Sequence, residues 1–488
     1  MRPYLLNPPY FPHFGRSARW QDTGRAGTLY YPIWLSYATA LLEQEGYETR
    51  LVDAPAWNWT TEDVIEDIGR FKPTLIVIDS SFPSLNNDIS VTKAIKDVYP
   101  TVTTVVVGPP ASQYAASILE HAAIDIVARW EYDFTLKNLA RTLEGRGDLS
   151  SVVGISYKVN EEIGHNPDRA FSTSADLDTI PFVSKIYKKH LHIEDYFLGQ
   201  SLYPEAQIFT GRGCPNQCTF CAWPQTLTGR RYRVRSISSV LDELAWIEAN
   251  LNVKEVFFED DTFTINKERV LEFCRGYQER GLSVTWSCNA RANTLDLETM
   301  QAMKKANCRL LIVGYESGVD SILQAIKKGI TTDQIRQFSK NARQAGLLVH
   351  GDFIIGLPGE TKETVGQTRK LIREVRPDIL QVAVASPFPG TEFYDWCKGN
   401  GYLLTDDPTE YLDSYGHQKA IISYPALSSE EMVHEANEIL REYYLSPEYV
   451  PLAMRQVLRK NSVAEAKRLW FSVKMFLGYS NNKVVTKI

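Results

Sequence analysis

The chain has 488 residues, of which 44% are hydrophobic and 23% charged, and it carries a formal net charge of −6 at pH 7. At about 150 residues per domain, this length suggests about three domains. The composition excludes collagen-like, coiled-coil and wholly disordered proteins. The acidic balance argues against nucleic acid as the main partner.

The cysteines and the first residues bear on location. The opening MRPYLLNPPYFP has no long apolar run, and no later stretch reaches 18 apolar residues, so neither an export signal nor a membrane-spanning helix is predicted. Seven cysteines in such a chain are typical of a reducing cytoplasm. We interpret the scattered ones as buried hydrophobic residues: Cys274, Cys288, Cys308 and Cys397.

Residues 1–148 alternate short β-branched runs with amphipathic segments, which predicts a doubly wound α/β domain with a parallel sheet. The predicted strands are Pro3 to Leu6, Thr49 to Asp53, Thr74 to Asp79, Val102 to Val107 and Ile124 to Ala128. Ligands of such sheets bind beyond the carboxyl ends of the strands, although each residue there also suits an ordinary turn. The candidate residues at these ends are Asn7, Asp79, Ser80, Ser81, Gly108 and Glu131.

Three further regions follow. Residues 149–200 are predicted to be a linker with a β-hairpin that begins near Ile155. Residues 201–398 contain six more strand and helix alternations, which predict a partial or full β/α barrel of the TIM type, with its chemistry at the carboxyl ends of the strands. Residues 399–488 are predicted to be helical.

The last residues are basic, with nine Lys or Arg against three Glu over residues 441–488. Two interpretations stay open: a peripheral contact with an anionic membrane surface, and a helix packed on the barrel with a solvated basic face. The apolar side chains that would accompany a membrane contact are Leu469, Trp470, Phe471, Met475 and Phe476.

The strongest signal is a CxxxCxxC spacing formed by Cys214, Cys218 and Cys221 in a loop after the first barrel strand. Three thiolates hold three irons of a 4Fe-4S cluster and leave the fourth iron open to another ligand. Zinc is the alternative, but a structural zinc site needs four ligands, and the nearest further His or Cys is His192. Chance clustering of buried cysteines fits poorly with a glycine-rich loop.

This motif and those after it resemble the radical S-adenosylmethionine (SAM) superfamily, over roughly residues 1 to 400. The further motifs are Tyr232-Arg-Val-Arg235, Phe258-Glu-Asp260-Asp261, Ala290-Arg291, Gly314-Tyr-Glu316-Ser-Gly318, Gly356-Leu-Pro-Gly-Glu360 and Pro387-Phe-Pro-Gly390-Thr391. The order of domains resembles the branch with an N-terminal cobalamin-binding domain. The opening residues also resemble members associated with hopanoid, other lipid and tetrapyrrole pathways.

The resemblance implies roles for particular residues. The three cysteines of the motif would ligate the cluster, and the amino and carboxylate groups of SAM would chelate the open iron. Phe220 would lie by the adenine, and Asp260 and Asp261 would meet the methionine amino group, although both also suit a helix N-cap. Arg291 would bind the SAM carboxylate, and Glu316 would hydrogen-bond the ribose or the methionine part.

The same resemblance implies a flavodoxin-like first domain that binds cobalamin, but the sequence departs from the usual pattern. Gly108-Pro109-Pro110-Ala111 stands where relatives often have Gly-Gly-Pro-His, and Arg129-Trp130-Glu131-Tyr132 stands where they have Gly-Glu-x-Glu. No Asp-x-His-x-x-Gly occurs in the sequence, so a histidine ligand to cobalt is not expected. A domain that keeps the fold without the cofactor is the alternative.

The expected function is therefore that of an oxygen-sensitive radical SAM enzyme that abstracts hydrogen from an unactivated carbon. We expect cobalamin-dependent methylation of a small or lipid-like substrate, with an electron donor such as flavodoxin or ferredoxin. The alternatives are a non-methylating oxidation, cyclisation or rearrangement, with or without cobalamin, and a non-catalytic iron-sulfur or corrinoid-binding protein.

Overall fold

The structure is a computed structural model that describes residues 1–19, 21–24, 27–159, 162–458, 463 and 465–470. Its contacts divide the chain into two compact units. Unit 1 consists of Met1–Phe197, Ala222–Val234 and Asp407–Gln418, and unit 2 consists of Leu198–Cys221, Arg235–Asp406 and the described residues from Lys419 onward.

The strands are β1 (Pro3–Asn7), β2 (Arg50–Asp53), β3 (Leu75–Asp79), β4 (Thr103–Val107), β5 (Ile126–Ala128), β6 (Ile155–Val159), β7 (Glu162–His165), β8 (Glu205–Ile208), β9 (Gly211–Arg212), β10 (Arg233–Val234), β11 (Glu255–Phe258), β12 (Thr285–Ala290), β13 (Cys308–Glu316), β14 (Leu348–Ile355) and β15 (Ile379–Val384).

The α-helices are α1 (Ile33–Gln44), α2 (Ala54–Trp57), α3 (Thr61–Phe71), α4 (Leu85–Val98), α5 (Pro109–Gln113), α6 (Ala115–Glu120), α7 (Asp133–Glu144), α8 (Ser174–Thr179), α9 (Val183–His190), α10 (Ala222–Thr226), α11 (Ile237–Asn250), α12 (Lys267–Glu279), α13 (Leu297–Lys305), α14 (Asp320–Ala325), α15 (Thr332–Ala345), α16 (Lys362–Val375), α17 (Glu392–Gly399), α18 (Ser429–Tyr444) and α19 (Tyr449–Val457). Short 3-10 helices cover Leu149–Ser151, Ile193–Asp195, Phe263–Ile265 and Pro408–Glu410.

Unit 1 is built on one sheet with the strand order β2-β1-β3-β4-β5-β6-β7. The first five strands of the chain are parallel, and β6 and β7 continue the sheet as an antiparallel hairpin. Helices cover both faces, so β3 is buried along its whole length and reads as the continuous apolar run LIVID. The order 2-1-3-4-5 is that of the flavodoxin-like fold, whose topological switch point lies between β1 and β3.

Unit 2 is built on six parallel strands in the order β15-β14-β13-β12-β11-β8. Consecutive strands are neighbours throughout, which is the topology of a partial β/α barrel, with β8 and β15 at its edges. The connecting helices pack on one face of this sheet. There the rings of Phe258 and Trp286 stack at 5.2 Å, and Phe273 of α12 meets Trp286 edge to face at the same distance.

Local sequence signals fix where several helices begin. Thr60 caps α3, Thr331 caps α15 and Ser428 caps α18, and each forms a reciprocal capping box with the residue three positions later. Gly346 ends α15 with a left-handed backbone, which glycine adopts at no steric cost. The ends of these three helices therefore follow from patterns that the sequence shows directly.

Two basic side chains of the C-terminal region are turned inward. Arg468 is buried and donates to Glu465, which also accepts from Arg309 at 2.9 Å. Arg455 of α19 donates to Asp378 at 3.0 Å. These two side chains therefore form ion pairs within the protein and do not belong to a solvated basic face. Trp470 is 73% exposed, while Phe471, Met475 and Phe476 lie outside the described residues. Within the described part of the chain, no helix is long and apolar enough to span a membrane.

Candidate active site

The three cysteines of the CxxxCxxC motif lie in the loop after β8 and β9, at the carboxyl end of the unit 2 sheet. Cys214 and Cys218 are buried and Cys221 is half-buried. Two nitrogen donors reach the sulfurs: Asn216 Nδ2 lies 3.2 Å from Cys214 Sγ, and Arg291 lies 3.8 Å from Cys218 Sγ. Donors and a cation around thiolates fit an anionic iron-sulfur cluster. Phe220, immediately before Cys221, is half-buried in the same loop.

Arg291 follows β12 and is held in this position by its neighbours. Its guanidinium donates to the backbone carbonyl of Lys328 and lies 3.4 Å from Asn293 Oδ1. The side chain is 5% exposed, so a cation is fixed at the edge of the cysteine loop in a largely dehydrated environment.

The carboxylates after β11 take different positions. Asp260 is fully buried, and its two oxygens accept from the backbone N–H and the hydroxyl of Thr210, at 2.6 and 2.7 Å. Its backbone carbonyl accepts from Asn289 Nδ2 at 2.8 Å. Asp260 therefore stabilises the segment that leads into the cysteine loop. Asp261 is half-buried and lies near enough to Cys214 to contribute to the raised pKa of that thiol, of which burial is the main cause.

Glu316 ends β13 in a strained conformation and forms a buried ion pair. Its φ is +64°, which is uncommon for a residue with a side chain. Its Oε1 accepts from Lys328 Nζ at 2.6 Å, and both side chains are less than 10% exposed. Burial alone would lower the pKa of Lys328, but Glu316 and Cys218 outweigh it and raise that pKa. A Cβ on Gly314 would come within 2.2 Å of Glu316 Oε1, so this pair requires the glycine.

In unit 1, a buried polar network joins the ends of β1 and β2 to α4. Asn7 donates to Asp53 Oδ1 at 2.7 Å and accepts from Arg16 at 2.9 Å. Arg16 pairs with Asp88 at 2.6 Å, and neither side chain is exposed. The single guanidinium thus compensates several buried carboxyl groups at the switch point of the sheet.

A small cavity opens at this switch point. Asp79 and Gly108, from the ends of β3 and β4, line it together with Arg16 and Ser17; its other lining residues are Trp34, Pro109, Tyr132, Trp223 and Leu227. Gly108 has a φ of +101°, and a Cβ there would lie 2.1 Å from the carbonyl oxygen of Ser80. Burial raises the pKa of Asp79 to about 7. The cavity measures about 10 Å³, far less than a whole cofactor, so it marks a place where the edge of a flat, mostly apolar cofactor would meet the glycine, the aromatic walls and the carboxyl group.

The aromatic wall of this cavity contains residues far apart in the sequence. The rings of Trp34 and Trp223 meet edge to face at 5.9 Å, and Arg19 lies over Trp223 at 4.3 Å. Trp223 belongs to α10, which begins directly after Cys221 and packs against α5 in unit 1.

Four of the six strand-end residues do not line the cavity. Ser80 donates to Asp88 at 2.9 Å, and Ser81 shares a hydrogen bond of 2.7 Å with Ser84. Both oxygens of Glu131 accept from Arg233, each at 2.7 Å. The structure thus places Glu131 in a buried ion pair with Arg233 of unit 1, where the sequence predicted a cofactor contact. Asn7 is the fourth, and it accepts from Arg16 of the lining at 2.9 Å. Asp79 and Gly108 are the two candidates that line the cavity.

Sequence reasoning missed Arg16, Lys328 and Trp223. Arg16 lies in a loop without periodicity, and Lys328 stands in an ordinary Lys-Lys-Gly turn, so their burial could not be predicted from either pattern. Trp223 offered a weak signal of a buried contact. It stands two positions after Cys221, and an indole ring there must pack against another group to be buried.

Comparison with known proteins finds a matching family for each of the two α/β sheets. The radical SAM superfamily profile matches residues 208–372, and the B12 binding domain profile matches residues 22–140. An uncharacterized methyltransferase of Pyrococcus horikoshii is 30% identical over 86% of this chain and 88% of its own length. The hopanoid C-3 methylase of Methylococcus capsulatus is 26% identical over 77% of this chain and 70% of its own length.

Among solved structures, the radical SAM methyltransferase TsrM of Kitasatospora setae, with cobalamin and a 4Fe-4S cluster bound, superposes with a TM-score of 0.72. It is 16% identical, and the match covers 98% of this chain and 99% of TsrM. These matches and the two sites define an α/β enzyme of the radical SAM class. The chain belongs to the radical SAM superfamily, in the branch that also carries a B12-binding domain. Its cofactors are a 4Fe-4S cluster, SAM and cobalamin.

Proposed function

We propose that this enzyme transfers a methyl group to an unactivated carbon of a small organic substrate. When bound, the reduced cluster supplies the electron that cleaves SAM to methionine and a 5′-deoxyadenosyl radical, and cobalamin supplies the methyl group. The protein's own residues bind and orient these groups and exclude water from them. A flavodoxin or a ferredoxin would deliver the electron.

In unit 2, Cys214, Cys218 and Cys221 would ligate the cluster. Arg291 would bind the SAM carboxylate, since its guanidinium is already fixed beside Cys218. Asp261, the accessible member of the carboxylate pair, would bind the SAM ammonium, while Asp260 positions the loop through Thr210. Phe220 would contact the adenine. Glu316, oriented by Lys328, would accept a hydrogen bond from the ribose or the methionine part.

In unit 1, Asp79 and Gly108 would contact cobalamin at the switch point, and Trp34 and Trp223 would pack against its apolar periphery. Asn7 acts through Asp53 and Arg16, and Ser80 acts through Asp88, so these residues position the strand ends rather than meet the cofactor.

The observation that carries methylation over the alternatives is the similarity to an uncharacterized methyltransferase over 86% of this chain, and the lining of the β1/β3 switch point supports it by offering contacts for cobalamin. The test is anaerobic purification with hydroxocobalamin, reconstitution of the cluster and product analysis. We expect one corrinoid per chain, and S-adenosylhomocysteine formed together with 5′-deoxyadenosine. Production of 5′-deoxyadenosine alone by cobalamin-loaded enzyme would indicate oxidation, cyclisation or rearrangement. The absence of SAM cleavage would indicate a non-catalytic binding protein.

A membrane contact of the basic C-terminal residues has less support than a packed helix. Arg455 and Arg468 are bound to Asp378 and Glu465, which removes two of the positive charges from the surface. Flotation of the enzyme with vesicles of anionic phospholipid tests the contact directly, and under this proposal the enzyme stays unbound.

A further inference from the structure

One face of the unit 2 sheet is partly accessible in the middle and towards the carboxyl ends of its strands. The opposite face carries the helices: Tyr315 of β13 contacts Phe338 of α15, and Phe353 of β14 lies against Tyr315. The residues between these positions point the other way. Some of them, such as His350 and Ile354, are buried, and the others are half-buried or exposed. We name this surface the open inner face; its residues are Asn289, Ile312, Gly314, Asp352, Gln381 and Ala383.

Three of these residues form one row across neighbouring strands. Asp352 is paired with Gly314 on one side and with Gln381 on the other. Because Gly314 has no side chain, the Glu316–Lys328 pair lies over it, next to Asp352. Gln381, in the middle of β15, is exposed. A carboxyl group and a primary amide therefore lie on neighbouring strands of the same face, beside the Glu316–Lys328 pair.

Asp352 has no cation of its own. Its Oδ1 lies 3.2 Å from His350 Nε2, and the geometry of that contact leaves Oδ1 without a hydrogen bond among the described residues. Burial, with Arg468 nearby, lowers the pKa of His350 to about 3, so this imidazole is neutral. Lys328 is paired with Glu316. Asp352 thus keeps hydrogen-bonding capacity on a side chain that is 27% exposed, where a polar group of a bound molecule could use it.

We propose that Asp352 and Gln381 anchor a hydroxyl or amide group of the substrate, so that the enzyme acts on small molecules with such a group rather than on a purely hydrocarbon skeleton. A hydroxyl or an amide can both donate and accept, which matches a carboxyl group beside a primary amide. This inference rests on the proposed function, because it assigns the open inner face to the molecule that is methylated.

Binding of two matched probes tests the anchor without methyl transfer. Benzyl alcohol and toluene differ by a hydroxyl group, and their affinities for enzyme loaded with cluster, cobalamin and SAM can be measured by saturation-transfer NMR. We expect wild type to bind benzyl alcohol about tenfold more tightly than toluene, the factor that one net hydrogen bond provides. This preference should disappear in Asp352→Ala and in Gln381→Met, which keeps the size of the side chain.

Asp333→Asn is the matched control, because Asp333 is an exposed carboxylate on α15 of the same unit; it should keep the preference. Equal affinities in wild type, or a preference that survives in both variants, would overturn the proposal. Loss of SAM binding by both variants would also overturn it, because Asp352 and Gln381 would then belong to the SAM site. Failure of methyl transfer is recognised separately, by the absence of S-adenosylhomocysteine, and it leaves the probe affinities unaffected.

Discussion

Lys328 donates a 2.6 Å hydrogen bond to Glu316, and this buried pair occupies the space that a side chain on Gly314 would need. The strained backbone of Glu316 thus depends on two features: the ion pair with Lys328 and the absence of a side chain at Gly314 on the same strand. Lys328 also presents its backbone carbonyl to Arg291, the cation beside Cys218. Lys328 therefore links Glu316 at the end of β13 with Arg291, which follows β12 and lies beside the cysteine loop.

Replacing Lys328 with Met should strongly destabilise unit 2. The variant leaves the Glu316 carboxylate buried without its cation, a change that costs about 3–5 kcal/mol in comparable pairs. Lys327→Met is the control, because the neighbouring Lys327 pairs with Glu392 at the exposed surface, where a pair contributes about 1 kcal/mol or less. Urea unfolding followed by circular dichroism measures both. Equal midpoints for the two variants would show that the buried pair does not hold this site together.

Alanine at Cys214, Cys218 or Cys221 should each abolish the cluster and SAM cleavage. A cubane held by three thiolates loses a ligand that no nearby cysteine replaces, so iron content and the charge-transfer absorption should fall to background. Cys397→Ala is the control, because Cys397 lies on α17 and is buried among other residues. A variant of the motif that retained both iron and 5′-deoxyadenosine formation would contradict the assignment of that cysteine.

The sequence predicted the helices and strands better than the side-chain contacts between them. The sequence pattern predicts helices over Ile33 to Gln44 and Thr61 to Phe71, and α1 and α3 have these bounds, because amphipathic periodicity and the Thr60 cap are local signals. The apolar run Leu310 to Val313 predicts a strand, but β13 is longer. It continues through Gly314 to the strained Glu316, a conformation that its neighbours impose. The pairing of Glu131 with Arg233, 102 residues away, had no local signal at all.

Gly108→Ala should impair both folding and cobalamin binding. The new methyl group would lie 2.1 Å from the carbonyl oxygen of Ser80, a backbone atom that cannot move without shifting the end of β3, and φ of +101° is unfavourable for alanine. We expect a lower melting temperature and little corrinoid after reconstitution. Gly366→Ala is the control: Gly366 lies in α16 with open space around it, so alanine there should be neutral or stabilising by about 0.5–1 kcal/mol. Normal corrinoid content in Gly108→Ala would remove this glycine from the cofactor site.

Asp79 should make the stability of the cofactor-free chain depend on pH. Burial raises its pKa from 3.8 to about 7, and the charged groups that face it are Arg16, Asp88 and Asp53. Because the folded chain holds this proton to higher pH than the unfolded chain does, Asp79 opposes folding increasingly as pH rises from about 4 to about 7. Asp79→Asn lacks this effect, so its free energy of unfolding relative to wild type should rise by up to about 1.4 kcal/mol per pH unit over that range and level off above it.

Urea titrations at several pH values measure this difference, with Asp97→Asn, which removes an exposed carboxylate on α4, as the control. A difference between Asp79→Asn and wild type that stayed constant from pH 4 to 8 would show that Asp79 is ionised throughout. In that case the cavity at the switch point would present a negative charge to cobalamin instead of a neutral hydrogen-bond donor, and the neutral form could not contribute to binding the cofactor.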